Sequence, residues 1–200
     1  NGATKKNIVL YSGTLRKSKG VEPLIEAWRV LQLPDWELHI AGGGESSDVI
    51  KQMAQSTRGV VFHGVMQRQA LVNLTCSAKI GANPHELSDV PGNVFAFKII
   101  EYLAAGSHVI STPMGALEKE AEAGITYIPD NAMATVTPAL KQAIEEPRWE
   151  QSAARYVWDT YGPAAVEKSL DKLVREVVET KTHRHPAHTH GSGHTKACCH

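Results

Sequence analysis

Residues 93–106 read NVFAFKIIEYLAAG and run without a break into SHVISTP at 107–113. The first stretch has helical spacing, closes on Ala-Ala-Gly and passes directly into a β-branched run, which is how a helix joins a strand in an α/β fold. It carries one acid, Glu101, on an otherwise apolar and aromatic surface. Burying an unpaired carboxylate is costly, so an acid there calls for a reason.

The same alternation extends in both directions. Upstream, strands are expected at 7–13 (NIVLYSG), 36–44 (WELHIAGGG), 59–64 (GVVFHG) and 79–84 (KIGANP). Helices are expected between them at 21–31, 48–55 and 67–78, the second capped by Ser46 or Ser47. Downstream come strands at 108–112 and 125–129, a short helix at 117–123, and helices at about 132–146, 148–160 and 163–181. Strands separated by helices of ~10 residues imply parallel βαβ crossovers. The expected fold is therefore α/β, a doubly wound, mostly parallel, six-stranded Rossmann-like sheet with C-terminal helices. Residues 1–181 read as one domain, the helices after about 147 packing as an extension, and 182–200 as a His-rich disordered tail.

Composition narrows the function. Lys and Arg total 21, as do Asp and Glu, so no basic excess points to a nucleic acid partner. No apolar run approaches the ~20 residues that span a bilayer. The start, NGATKKNIVL, has neither signal peptide nor initiator Met and enters a strand almost at once, as a fragment cut at a domain boundary would. Cys76 stands alone and Cys198 and Cys199 are adjacent, so no disulfide framework is implied and a reducing, cytoplasmic setting is expected.

In doubly wound sheets ligands bind beyond the carboxyl ends of the strands, here the loops 12–20, 42–47, 63–67 and 83–94. The first, SGTLRKSKG, holds Gly13, Thr14, three cations (Arg16, Lys17, Lys19) and Gly20 at a helix N-terminus. Backbone N–H groups, the helix dipole and a neighbouring cation together favour an anion such as phosphate, although a solvated basic turn reads equally well. It is not a P-loop, and GGG at 42–44 is not a dinucleotide fingerprint. Asn93 and Glu101 lie on nearly one helix face, roughly 12 Å apart along the axis, with Phe97 between them. That span suits a ribose at one end and a sugar beyond a diphosphate at the other. A carboxylate accepts two hydrogen bonds and so fits vicinal ribose hydroxyls. Asn93 also fits an N-cap after Pro91-Gly92, and Glu101 an i,i+3 pair with Lys98. His85 and Glu86 would face the ligand rim on topology grounds and otherwise read as solvated loop residues. His183, His185, His188, His190, His194 and His200 share the tail with Cys198 and Cys199, in a Gly/Ser/Pro-interrupted segment with no fixed ligand geometry.

The order SGTLRKSKGVEPLIEAW, WELHIAGGG, VVFHGVM and VFAFKIIEYLAAGSHVISTPMGALEKE resembles the C-terminal, donor-binding domain of retaining GT-B glycosyltransferases of family 4, also called group 1. The resemblance covers roughly residues 7–146. It implies that Lys19, before Gly20, binds the donor diphosphate and that Glu101 binds the ribose, the two forming the catalytic pair. It places Gly13, Thr14, Arg16, Gly20, Gly64, Val65, Met66, Asn93, Val94, Phe95, Phe97 and Lys98 at the donor, with the His63–Met66 segment reading the base through its backbone. Two positions depart from the family pattern: Thr14 where the turn usually carries Arg, with Arg16 or Lys17 as compensation, and Asn93 where the helix usually carries its first acid. The resemblance further implies a UDP-, GDP- or ADP-linked sugar donor, no metal and no other cofactor, and an N-terminal acceptor domain in the full-length enzyme. It implies a cytoplasmic location, either free or peripheral to the inner face of the membrane. The alternatives are a non-catalytic nucleotide-sugar-binding partner domain and a GT-B nucleotide-sugar epimerase.

Overall fold

The β-branched runs form six strands: β1 (Lys6–Ser12), β2 (Glu37–Ala41), β3 (Val60–Gly64), β4 (Ala78–Asn83), β5 (His108–Ser111) and β6 (Ile125–Tyr127). In the computed structural model, which describes residues 4–89, 97–113, 124–146 and 151–182, they make one sheet in the order β3-β2-β1-β4-β5-β6. All five pairings are parallel, with Val9 opposite Leu38 and Ala82 opposite Ile110. The sheet is six-stranded and doubly wound, as the alternation implies.

The helices are α1 (Val21–Leu31), α2 (Ser47–Gln55), α3 (Arg68–Ser77), α4 (Phe97–Ala104), α5 (Met133–Glu145), α6 (Gln151–Tyr161) and α7 (Pro163–Thr182). α1 contacts both α2 and α5, while α3 and α4 pack on each other and against β4. The apolar stripe of α1, Val21, Leu24, Ile25 and Trp28, is fully covered, as its i, i+3, i+4, i+7 spacing requires. β1 is covered on both faces from Ile8 to Ser12, which explains its unbroken apolar reading.

Two local devices fix α4, which carries Glu101. Gly106 takes a left-handed φ of 72° and closes the helix, with Gly106 N–H bonded to Leu103 O at 2.8 Å and Ser107 N–H to Tyr102 O at 2.9 Å. On the sheet side, Gly81 has no side chain because Tyr102 occupies that space; a Cβ there would lie 2.2 Å from the Tyr102 ring.

One expected cap differs. Ser46 makes no side-chain cap bond, because its φ of −90° and ψ of 7° are not the extended geometry of an N-cap. Ser47 is the first residue of the helix, and its hydroxyl serves the preceding turn: it accepts from Gly44 N–H at 2.9 Å and donates to Gly44 O at 2.7 Å. The short helix expected at 117–123, the start of the helix quoted above and the tail lie outside the described residues.

The chain divides into two compact units, Asn1–Thr160 and Tyr161–His200. The sheet belongs to the first. The described part of the second is essentially α7, with Pro163 at its first position, where a missing N–H is harmless. Among the described residues no helix is long and apolar enough to cross a membrane.

Candidate functional site

Strand order reverses direction between β1 and β4, so the crevice of this sheet opens where their C-terminal loops part. Those loops are tied together. Glu86 N–H bonds to Ser18 O at 2.7 Å, and Gly20, left-handed at φ 69°, lies so close to the Pro84 carbonyl that a Cβ would sit 1.8 Å from its oxygen. Only glycine lets the N-terminus of α1 meet the β4 loop this closely. The loops after β1, β2 and β3 are joined in the same way: Gly13 N–H to Ala41 O (2.9 Å), Leu15 N–H to Gly43 O (3.0 Å) and Gly42 N–H to Gly64 O (2.7 Å).

Lys19 ends a short 3-10 turn, Lys17–Lys19, just before α1. Its ammonium bonds Nε2 of His85. The His85 ring is oriented by Nδ1, which lies 2.8 Å from the Glu86 carbonyl and donates to it. That leaves the Nε2 lone pair to accept from the lysine. The His85 carbonyl in turn accepts from Thr112 Oγ1 at 2.8 Å. His85 is 4% exposed, so the solvated-loop reading is wrong: it is the buried partner of Lys19. Glu86 does remain exposed, its carboxylate accepting from Ser88 Oγ at 2.8 Å.

From the opposite bank, α4 sends in Lys98. Its Nζ lies 4.2 Å from the centre of the Tyr11 ring and would be 3.0 Å from a Cβ on Gly13. Tyr11 is itself fixed by a hydrogen bond to Thr14 O at 2.8 Å. Burial, and then the neighbouring charge of Lys19, lower the Lys98 pKa to about 8, with Glu101 opposing the shift. Tyr102, fully buried, accepts from Ser12 N–H at 2.8 Å, and its hydroxyl lies 3.0 Å from Ser12 Oγ. Burial raises its pKa and keeps it neutral. It thus anchors the end of β1 where the loop begins.

Beside these groups, Gly13, Thr14, Gly42, Gly43, Val65, Met66 and Leu71 line a cavity of about 300 Å³. Leu71 also borders a second groove of about 340 Å³, which runs between α3 and α4 and includes Arg68, Cys76, Glu101 and Trp158. Glu101 is exposed and makes no side-chain hydrogen bond or ion pair among the described residues. The burial cost invoked from the sequence therefore does not apply to it. Nor does the i,i+3 pair form, because Lys98 turns toward Tyr11 and Glu101 acts on it only through its charge. A further cavity of about 300 Å³ lies among Trp28, Arg29, Gln32 and Arg58, at the far end of α1.

The remaining expected residues divide. Gly13, Thr14, Val65 and Met66 border one cavity, and Gly20 and Gly64 shape its loops. Arg16 and Lys17 are exposed on the turn, Val65 is 84% exposed and Phe97 is 72% exposed. His63 pairs with His39 (Nε2 to Nδ1, 3.1 Å), and His39 with Glu37 (3.0 Å). Burial and His39 lower the His63 pKa. Asn93, Val94 and Phe95 lie outside the described residues. Among the described residues no group of three or more His, Cys, Asp or Glu is placed to hold a metal ion.

Residues 1–159 match the family model of glycosyl transferases group 1. The chain belongs to that family. Solved glycosyltransferases share the fold of this group 1 chain. Sucrose-phosphate synthase from Thermosynechococcus elongatus superposes with a TM-score of 0.71 at 21% identity, over 88% of this chain and 46% of that one. Anabaena Alr3699/HepE, solved in complex with UDP, gives 0.67 at 15% identity, over 86% and 49%. The C-terminal domain of the group 1 protein LpcC from Francisella tularensis gives 0.59 at 20% identity, over 78% and 84%. The chain thus spans less than half the length of the first two, and most of the isolated LpcC domain. No curated protein sequence matches it.

Proposed function

We propose that the cleft between β1 and β4 binds the nucleoside-diphosphate sugar donor of a retaining glycosyltransferase, and that an N-terminal domain of the full-length enzyme holds the acceptor. The observation that carries this reading is Lys19, fixed by a buried histidine at the switch point of a group 1 fold.

The chemistry follows from charge. Cleaving the sugar–diphosphate bond builds negative charge on the leaving phosphate. A preoriented ammonium and the amides beside Gly13 and Gly20 offset that charge at no reorganisation cost. Because His85, itself held by the Glu86 carbonyl, bonds Lys19, the ammonium is in place before the donor arrives. In this reading Glu101 takes the ribose hydroxyls, the Val65–Met66 loop faces the base, and the acceptor attacks from the same face as the departing diphosphate. The cation and the helix N-terminus neutralise the diphosphate, so no metal is invoked. The UDP in the Alr3699/HepE complex supports this ligand class.

Calorimetric titration of the 200-residue chain with UDP, GDP and ADP, with and without EDTA, tests the reading. At least one nucleotide should bind, EDTA should leave its affinity unchanged, and Lys19→Ala should weaken it about tenfold or more while the fold persists. An unchanged Kd in Lys19→Ala would remove the loop from the site.

A further inference from the structure

We propose that Lys98 is a second ligand of the donor diphosphate, reaching it from α4 across the mouth of β1, opposite Lys19. This rests on reading the cleft as a nucleoside-diphosphate site.

The geometry carries it. The Lys98 ammonium has three donors but no hydrogen-bond acceptor among the described residues, and meets only the face of Tyr11. A partly buried ammonium left in that state is costly unless a ligand completes it. No described acid lies within ion-pairing distance of it: Glu101, one turn on, has turned toward the α3 groove. Gly13 is what lets the amine approach the β1 loop, since any side chain there would meet Nζ at 3.0 Å. Two ammonium groups therefore flank one loop, from the turn before α1 and from the first turn of α4. They repel each other when the cleft is empty, and a multiply charged anion between them relieves that repulsion. A diphosphate meets this need, whereas a neutral sugar does not.

A consequence distinguishes this role from plain packing on Tyr11. Among the described residues, the groups facing Lys98 are Tyr11, Lys19 with its partner His85, and, on its own helix, Glu101 and Tyr102. The tyrosines stay neutral because burial raises both. In the empty cleft Lys98 loses its proton near pH 8. A bound anion raises that value, so binding takes up a proton. Affinity is then full below about pH 8 and falls as the pH rises past it.

The test is calorimetry with the nucleotide that binds the wild-type chain, and with inorganic pyrophosphate, at about pH 7, 8 and 9. At about pH 8, buffers of different ionisation enthalpy report proton uptake. Lys98→Met should bind about tenfold more weakly at pH 7 and show less proton uptake. Lys98→Arg should keep near-wild-type affinity at pH 7 and hold it at pH 9, because a guanidinium does not deprotonate. The difference between wild type and Lys98→Arg cancels the ligand's own titration. Thermal melting confirms that each variant is folded. Wild-type affinity in Lys98→Met, or a wild-type pH profile in Lys98→Arg, would overturn the proposal. If Lys19→Ala weakens binding and Lys98→Met does not, only the Lys98 role fails. If the wild-type chain binds none of UDP, GDP or ADP, the reading of the cleft fails with it.

Discussion

At the scale of single residues, the cleft is built from side chains whose partners come from other elements. Lys19 could be picked out in the sequence because it stands in a glycine-flanked turn before a helix. His85 could not. Nothing local separates a buried histidine from a solvated one after Pro84, and only the meeting of the β1 and β4 loops buries it. Lys98 was legible as a helix residue beside the site, yet its neighbour in space is Tyr11, 87 positions away by subtraction of their numbers. Glu101 was singled out for the cost of burial and instead is exposed, which leaves its carboxylate available to a ligand. Glu101→Gln keeps the shape and removes the charge. Its expected effect is a loss of about tenfold in affinity for the ribonucleotide, with little change for the 2′,3′-dideoxy analogue. Competition binding with the two nucleotides checks this, and equal losses would count against ribose contact.

At the scale of elements, α4 is held to the sheet by a tyrosine stacked on a glycine. Tyr102 occupies the space above Gly81 in β4 and bonds the backbone of Ser12 at the end of β1. Packing and loop geometry are therefore coupled. Gly81→Ala would place a methyl 2.2 Å from the ring and force Tyr102 to move. Urea denaturation should show a loss of about 1–3 kcal/mol, accompanied by weaker nucleotide binding as Ser12 is released. An unchanged midpoint would mean that the ring has room to shift. The helix and strand limits of the first 83 residues were readable to within a few positions, because β-branched runs and 3.6-residue stripes alternate cleanly there. The start of α2 was not, since a serine beside a helix reads as a cap, whereas Ser46 makes no side-chain cap bond and the Ser47 hydroxyl turns back to Gly44.

At the scale of the molecule, alternation implies a parallel sheet but does not order its strands. The order β3-β2-β1-β4-β5-β6 emerges only in the fold, and it places the β1 and β4 loops side by side at the switch point. Loops far apart in the sequence, after β1, β2 and β3, are joined by backbone hydrogen bonds into one rim in space. The central claim is that this rim grips a diphosphate, with its ribose toward Glu101. A crystal structure of the chain with a bound nucleoside diphosphate measures it most directly. The account expects the phosphates beside the Lys19 and Lys98 ammonium groups, the ribose hydroxyls on the Glu101 carboxylate, and the base against Val65 and Met66. A nucleotide bound elsewhere, or one seated here with its phosphates turned away from Lys19, would contradict it.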